Sequence, residues 1–376
     1  MIYFDNAATT FPKPVCVKNA VLDCMENWCG NPGRGAHALS LSAAKQVFAC
    51  RERLAAFFGL SDVARIVFTA GATAALNTVM KGILREGDHV LCSELEHNAV
   101  WRPLKALARE RGVLSEAFPV VGLTEAEILQ EVAKRVQKNT RAVICTHASN
   151  ICSLTLPIAK IGAFCRQNNL YFIVDAAQSA GHLPIHLHDM QIDALTVPAH
   201  KGLYGIPGCG VLALGERLLP RPLIEGGSGV NSRSPLMPKE LPERLEAGTL
   251  PIPAIAGLLG GLSFVEEIGL NILQAHDKQL FLAARERIEA LPHYHVLARD
   301  AVGAVLLFRH ERASAVAVAR ALSEKEISVR AGLHCAPLAH DALGTGQTGG
   351  VRISFSYHNT VSELDALYAA LKEISC

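Results

Sequence analysis

The chain lacks any block of one charge. Its 36 Lys and Arg balance 35 Asp and Glu, a formal net charge of +1 at pH 7. Without a basic cluster, neither nucleic acid nor an anionic membrane surface is expected as a partner. Charged residues make up only 19% and hydrophobic ones 50%, which excludes a disordered chain and points to a compact core. C-x-x-C pairs are absent. The eleven cysteines are odd in number and scattered, and a chain of 376 residues has core enough to stand without disulfide staples, so most are expected to be buried thiols in a reducing compartment. Standard metal-ligand spacing is missing too: His182, His186, His188 and Asp189 cluster but match no such pattern, and a polar loop with no metal is expected. The opening MIYFDNAATTFPKP has neither a basic n-region nor an apolar h-region, so a cytoplasmic location is expected. The longest uncharged run, residues 247–265, contains Pro251, Pro253 and several glycines, the composition of a buried turn and helix rather than a membrane span.

What is present is an alternation of strand-like and helix-like segments. RIVFT reads as a strand, TAGATAALNTVMKGIL as a turn and helix, HVLCS as a strand and NAVWRPLKALARERG as a helix. Thr124 and Glu127 form a capping-box pattern that opens TEAEILQEVAKRVQ; RAVICT follows as a strand and IAKIGAFCRQNN as a helix. This alternation predicts an α/β domain whose mainly parallel sheet is covered by helices on both faces, running to about residue 260. Beyond it come a long amphipathic helix, AVLLFR, a helix over residues 313–323, ISVR, VRISF and a terminal helix, the pattern of a smaller α+β domain.

The rest of the chain is organised around residues 171–205. The apolar run YFIV reads as a buried parallel strand ending on Asp175, with Gln178 three residues on. A second strand-like run over residues 193–197 leads to His200, Lys201 and a glycine-rich turn. In α/β folds the carboxyl ends of strands face the ligand crevice, so an acid and an amine converge there. A lysine can form a Schiff base with pyridoxal phosphate, and a carboxylate facing the pyridine nitrogen keeps it protonated, so that the ring can absorb the electrons of a carbanion. The turn TAGAT at residues 69–73 supplies the complementary feature, a helix N-terminus with the Thr73 hydroxyl, where a phosphate is stabilised.

These stretches resemble the class V aminotransferase family, specifically its cysteine desulfurase and selenocysteine lyase branch. The resemblance covers nearly the whole chain and is carried by DAAQ at 175–178, HKGLYG at 200–205, AGT at 247–249, RAGLHCA at 330–336 and VRISF at 351–355. It implies a fold type I pyridoxal phosphate enzyme in which residues 13–260 form the large domain, and residues 1–12 with 261–376 the small one. By the same resemblance Lys201 anchors the cofactor; Asp175 and Gln178 face its ring; Ala72, Thr73 and His200 bind its phosphate, as does Thr249 across a homodimer that shares its active sites. His97, in ELEHNAV, stacks on the ring and moves protons. Asn150 faces the substrate, Arg352 clamps its carboxylate, and Arg330 lies in the same substrate region.

Cys335 follows Arg330 and His334, neighbours that favour a thiolate, and by resemblance it is the nucleophile. L-cysteine or L-selenocysteine would be converted to L-alanine, with a persulfide on Cys335 handed to a protein acceptor. The YFDNAATT opening and the loop NPGRGAHALS, with Arg34 and His37, resemble segments near the family's active site; a solvated loop with a helix cap at Ser40 or Ser42 is the plainer reading of the latter. Three positions depart from the pattern: Ala72, where relatives carry a hydroxyl; Pro198, where a serine or threonine is common; and Leu333, where many have a histidine. Another class V reaction, transamination or epimerisation, would not need Cys335. A non-catalytic scaffold that merely binds pyridoxal phosphate would not need Lys201 or Arg352.

Overall fold

The computed structural model describes residues 1–33 and 35–374; Arg34 lies outside them. A seven-stranded sheet forms its centre, in the spatial order Ile66–Thr69, Gly210–Leu214, Ala194–Pro198, Tyr171–Asp175, Thr140–Thr146, His89–Ser93, Leu114–Phe118. All neighbours pair in parallel except those of Gly210–Leu214, which runs against both of its partners. Alternate residues of each strand serve opposite faces. Phe172 and Val174 join one apolar cluster with Val143 and Cys145, while Ile173 joins another with Ala142 and Ile144. Both faces are covered, which explains why these strands read as continuous apolar runs.

A four-stranded antiparallel sheet, in the order Arg330–Gly332, Gly350–Ser354, Val305–His310, Tyr294–Leu297, packs around its own apolar cluster with the helices Leu270–Glu289 and Val361–Lys372. The N-terminal strand Ile2–Tyr3 pairs in parallel with Ile327–Ser328, and Asp5 bridges to Ser354. Ile2–Tyr3 and Ile327–Ser328 thus form a two-stranded sheet of their own, Phe4 and Asp5 bond to Ser354 of the C-terminal sheet, and the residues after them run toward the large one. The apolar run at 247–265 becomes the core helix Ile252–Ile268. Among the described residues no single helix is long and apolar enough to cross a membrane.

Local chemistry accounts for most element ends. Thr124 and Glu127 make the capping box. The helix after the loop NPGRGAHALS spans Ala38–Phe57, and its cap is His37, whose Nδ1 accepts from the Ser40 N–H. Neither serine caps it, since Ser40 instead donates its hydroxyl to the Asn31 carbonyl. Strands Leu114–Phe118 and Gly210–Leu214 and helix Val15–Asp23 are elements the pattern did not announce. LSEAF is an edge strand with half-exposed polar positions, and Gly210–Leu214 sits directly behind a glycine-rich turn.

Candidate active site

Asp175 ends its strand nearly inaccessible, at 3% exposure, and its Oδ1 accepts from the Ala177 N–H at 2.9 Å. Burial pushes its pKa up, opposed by that hydrogen bond and by the charge of Lys201. Lys201 follows the adjacent strand Ala194–Pro198. Its amine makes no hydrogen bond among the described residues, and burial lowers its pKa to about 8, against the pull of Asp175. Two glycines let the turns after these strand ends meet: a Cβ on Gly202 would lie 2.2 Å from the Ala180 carbonyl oxygen, and one on Gly181, at φ +86°, 2.0 Å from that of Gly202. No other residue fits that contact.

A cavity of about 520 Å³ opens over these groups, lined also by Ala72, Thr73, His97, Asn150, Gln178 and His200. On one side stands the N-terminus of helix Ala72–Ile83, whose cap Gly71 has φ +149° and no side chain to offer. The N–H groups of Ala72, Thr73 and Ala74 precede the first intrahelical bond, from Ala75 to Gly71, so they remain available to an anion. Thr73 is exposed, and Ala72 contributes backbone only. His200 faces the same cavity with a buried Nδ1 that has no partner among the described residues. Burial, then Lys201 and Lys13, lowers its pKa to about 4, so it is neutral at pH 7.

This donor set fits pyridoxal phosphate. Free N–H groups and an orphaned imidazole nitrogen suit its phosphate, an unpartnered amine its aldehyde, and a buried carboxylate its pyridine nitrogen. Pro198, at the strand end beside them, lines the cavity and offers no donor.

His97 caps the helix Asn98–Arg111, with Nδ1 accepting from the Ala99 N–H at 3.0 Å. Burial, then Lys201 and Arg330, brings its pKa to about 4. It is therefore a neutral imidazole with its proton on Nε2. Beneath it lies a residue that sequence reasoning missed. Glu96 is wholly buried, accepts from Ser93 Oγ and from Thr146 N at 2.8 Å, and leaves Oε2 without a partner among the described residues. Burial raises its pKa to about 8, so it stays mostly protonated at pH 7 and ties the His97 turn to the strand end beside Asp175. Its only signal was a carboxyl next to His97, one of two in the stretch LCSELEH that closes the strand.

The N-terminal segment closes another side. Gln178 Nε2 donates to the Ala7 carbonyl at 3.0 Å, and Lys13 Nζ donates to the His200 carbonyl at 2.8 Å. Arg352 is 1% exposed, and its fork is already engaged, donating to Asp5 Oδ1 at 2.6 Å and to the Asn150 carbonyl at 2.9 Å. Its Nε is buried without a partner among the described residues. Arg352 does not line the cavity, although its charge reaches Lys201 and His97.

Cys335 is exposed, with the Arg330 Nη2 4.0 Å from its Sγ. Its carbonyl accepts from the Asn98 N–H at 2.7 Å, and the preceding carbonyl, of His334, accepts from Asn150 Nδ2 at 2.8 Å. The thiol loop is thus fastened to residues flanking or lining the cavity. Thr249 is exposed and outside the cavity of its own chain. Three residues earlier, Glu246 is anchored by Arg51 at 2.6 Å and by the Phe68 N–H. Seven of the ten described cysteines are buried, Cys16 is half-buried and Cys29, expected among the structural thiols, is exposed like Cys335. His182 pairs with Asp277 at 2.7 Å rather than with its sequence neighbours.

The family described as Aminotransferase class-V matches residues 2–367. A probable cysteine desulfurase of Methanothermobacter thermautotrophicus is 32% identical, covering 100% of this chain and 94% of that protein. Another probable cysteine desulfurase, of Pyrococcus abyssi, is 30% identical with the same coverage. Among solved structures, the apo cysteine desulfurase of Thermococcus onnurineus NA1 superposes with a TM-score of 0.90 at 28% identity, covering 99% of this chain and 94% of that one. The cysteine desulfurase CsdA of Escherichia coli, in an S-sulfonic acid form, gives 0.86 at 26% identity over 98% and 93%.

Proposed function

The chain belongs to the class V aminotransferase family, and from that membership we propose a pyridoxal phosphate-dependent cysteine desulfurase that converts L-cysteine to L-alanine and takes the sulfur onto Cys335. The observation that carries this reading is the fastening of an exposed thiol to the cavity wall, by Asn98 N to Cys335 O and Asn150 Nδ2 to His334 O. Transamination or epimerisation would have no use for that thiol.

Bound pyridoxal phosphate supplies an electron-accepting ring that stabilises negative charge at the substrate Cα. Lys201, with its pKa near 8, is neutral in a usable fraction at pH 7 and moves the Cα proton once its nitrogen is free. Asp175 offers the carboxylate that holds a proton at the pyridine nitrogen. His97 presents Nε2–H to the cavity while its Nδ1 stays occupied as a helix cap. Arg352, held by Asp5 and the Asn150 carbonyl behind the cavity wall, adds positive charge that favours a substrate carboxylate on that side. The Cys335 thiolate attacks the substrate sulfur; the Cβ–S bond breaks with its electron pair left on carbon, a proton completes alanine, and an S–S bond forms on Cys335.

L-selenocysteine would be accepted by the same groups, because selenium differs from sulfur only at the atom being removed. Exposure of Cys335 suits delivery to a protein acceptor. A homodimer sharing its sites is supported by the exposed apolar side chains Leu22, Met25, Phe48, Leu223, Ile224 and Leu236, of which Phe48 lines one hollow with Gly248 and Leu250, on either side of Thr249. Free cysteines throughout the described residues suit the cytoplasm.

The test is alanine release from L-cysteine and from L-selenocysteine. Wild-type protein should release it from L-cysteine, and Cys335→Ala should not. Silence of the cofactor-loaded wild type on both substrates, or full cysteine turnover by Cys335→Ala, overturns the reading.

A further inference from the structure

The Cys335 loop is bent in an unusual way. His334 and Cys335 both have left-handed backbone, φ +50° and +58°, a conformation that consecutive non-glycine residues keep only where their surroundings hold it. The carbonyl bonds to Asn98 and Asn150 hold it from the cavity side. On the other side stands a file of buried side chains that the reaction itself does not use.

Arg330 offers its carbonyl oxygen, which can only accept, 3.2 Å from His334 Nε2. That nitrogen must therefore carry the proton. His334 Nδ1 is then bare and lies 3.0 Å from His340 Nε2, which must donate to it. His340 Nδ1 is bare in turn and accepts from the Thr345 hydroxyl at 2.8 Å. The opposite tautomers would set a bare His334 Nε2 against the Arg330 carbonyl, acceptor against acceptor. The hydroxyl's other acceptor, the His340 carbonyl, is more distant at 3.3 Å. His334, His340 and Thr345 are 4%, 0% and 2% exposed, so water cannot replace a missing member. Burial lowers the pKa of both imidazoles, that of His334 to about 3, and neither carries a charge that would scramble the order.

We propose that Thr345 and His340 are positioning residues for Cys335: the Arg330 carbonyl sets the direction of every hydrogen bond through His334 and His340, the Thr345 hydroxyl completes the file as its last donor, and the completed file fixes the loop that presents the thiol beside Arg330. Neither residue touches substrate or cofactor. The inference rests on the reading of Cys335 as the sulfur-accepting thiol.

Thr345→Val, which keeps the shape and removes the hydroxyl, is compared with Thr345→Ser, which restores it. In the holoenzyme, the rate of Cys335 alkylation by iodoacetamide and kcat on L-cysteine should both fall by about tenfold in Thr345→Val, the effect of one buried hydrogen bond left unmade. KM and cofactor absorption should stay unchanged, and Thr345→Ser should recover both rates. A Thr345→Val protein with wild-type absorption and both rates intact overturns the proposal, as does a Thr345→Ser protein impaired to the same degree. If Thr345→Val does not fold, 15N-histidine NMR of the wild type decides: both imidazoles should be Nε2–H tautomers, and an Nδ1–H tautomer at either sinks the proposal. Alkylation and tautomers are read without turnover, so failure here is distinct from failure of the desulfurase reading, which Cys335→Ala tests.

Discussion

The floor of the cavity and the Cys335 loop are built on different principles. Asp175 ends one, and Lys201 follows the other, of two adjacent parallel strands whose residues are buried except for the half-buried Tyr171, and the anion site beside them consists of backbone N–H groups on a helix. Sheet and helix ladders that pack both apolar faces thus place the floor, and single side chains beyond the reacting ones matter little to its shape. The Cys335 loop has no ladder on it. It stands in left-handed backbone, fastened by Asn98, Asn150 and the file behind His334. Removing one side chain should therefore perturb the loop more than the floor, unless that side chain does chemistry.

The largest expected effect breaks the floor. Lys201→Ala should lower alanine release by roughly 10⁴-fold or more, as loss of a group acting in every step does, and borohydride should trap cofactor on the wild type but not on the variant. Trapping on a different lysine would remove the floor from the centre of the argument.

Next comes pH. An amine with a pKa of about 8 captures an aldehyde only when neutral, so cofactor capture by apoprotein should quicken by about tenfold per pH unit below 8 and level off above it. Asp175 is the charge that holds this pKa up against burial. Asp175→Asn keeps an acceptor for the Ala177 N–H and removes that charge, so the break should move to lower pH. Stopped-flow absorbance reads both profiles; an unmoved break would show that Asp175 and Lys201 are not coupled.

The smallest effect sharpens the contrast. Thr73→Ala deletes the side-chain donor of the anion site and leaves its N–H groups, so cofactor affinity should weaken by only about fivefold, near 1 kcal/mol. Titration of apoprotein with pyridoxal phosphate measures it. A loss approaching that of Lys201→Ala would show that the floor, too, depends on single side chains.

Legibility in the sequence follows the same division. YFIVD and the run over residues 193–197 announced themselves because strands covered on both faces are continuously apolar. LSEAF did not, because an edge strand is half wet. His97 was readable from its motif, but its locked Nδ1 depends on a capping bond to Ala99. Glu96 was invisible, since its protonated state arises from burial between two strand ends. Arg352 was expected to hold a substrate carboxylate; that its fork is already shared by Asp5 and the Asn150 carbonyl follows from the N-terminal segment crossing to the C-terminal sheet.

The sequence by itself determined the parallel α/β core, through runs of apolar residues at strand and helix spacing, and the chemistry-bearing residues, through local motifs at strand ends. Only the tertiary structure decided which groups are charged and where the thiol stands. Desolvation and hydrogen-bond direction depend on what surrounds a side chain in space, and for Cys335 those surroundings come from residues 98 and 150, far off along the chain, and from 340 and 345 just beyond it, joined by no common period.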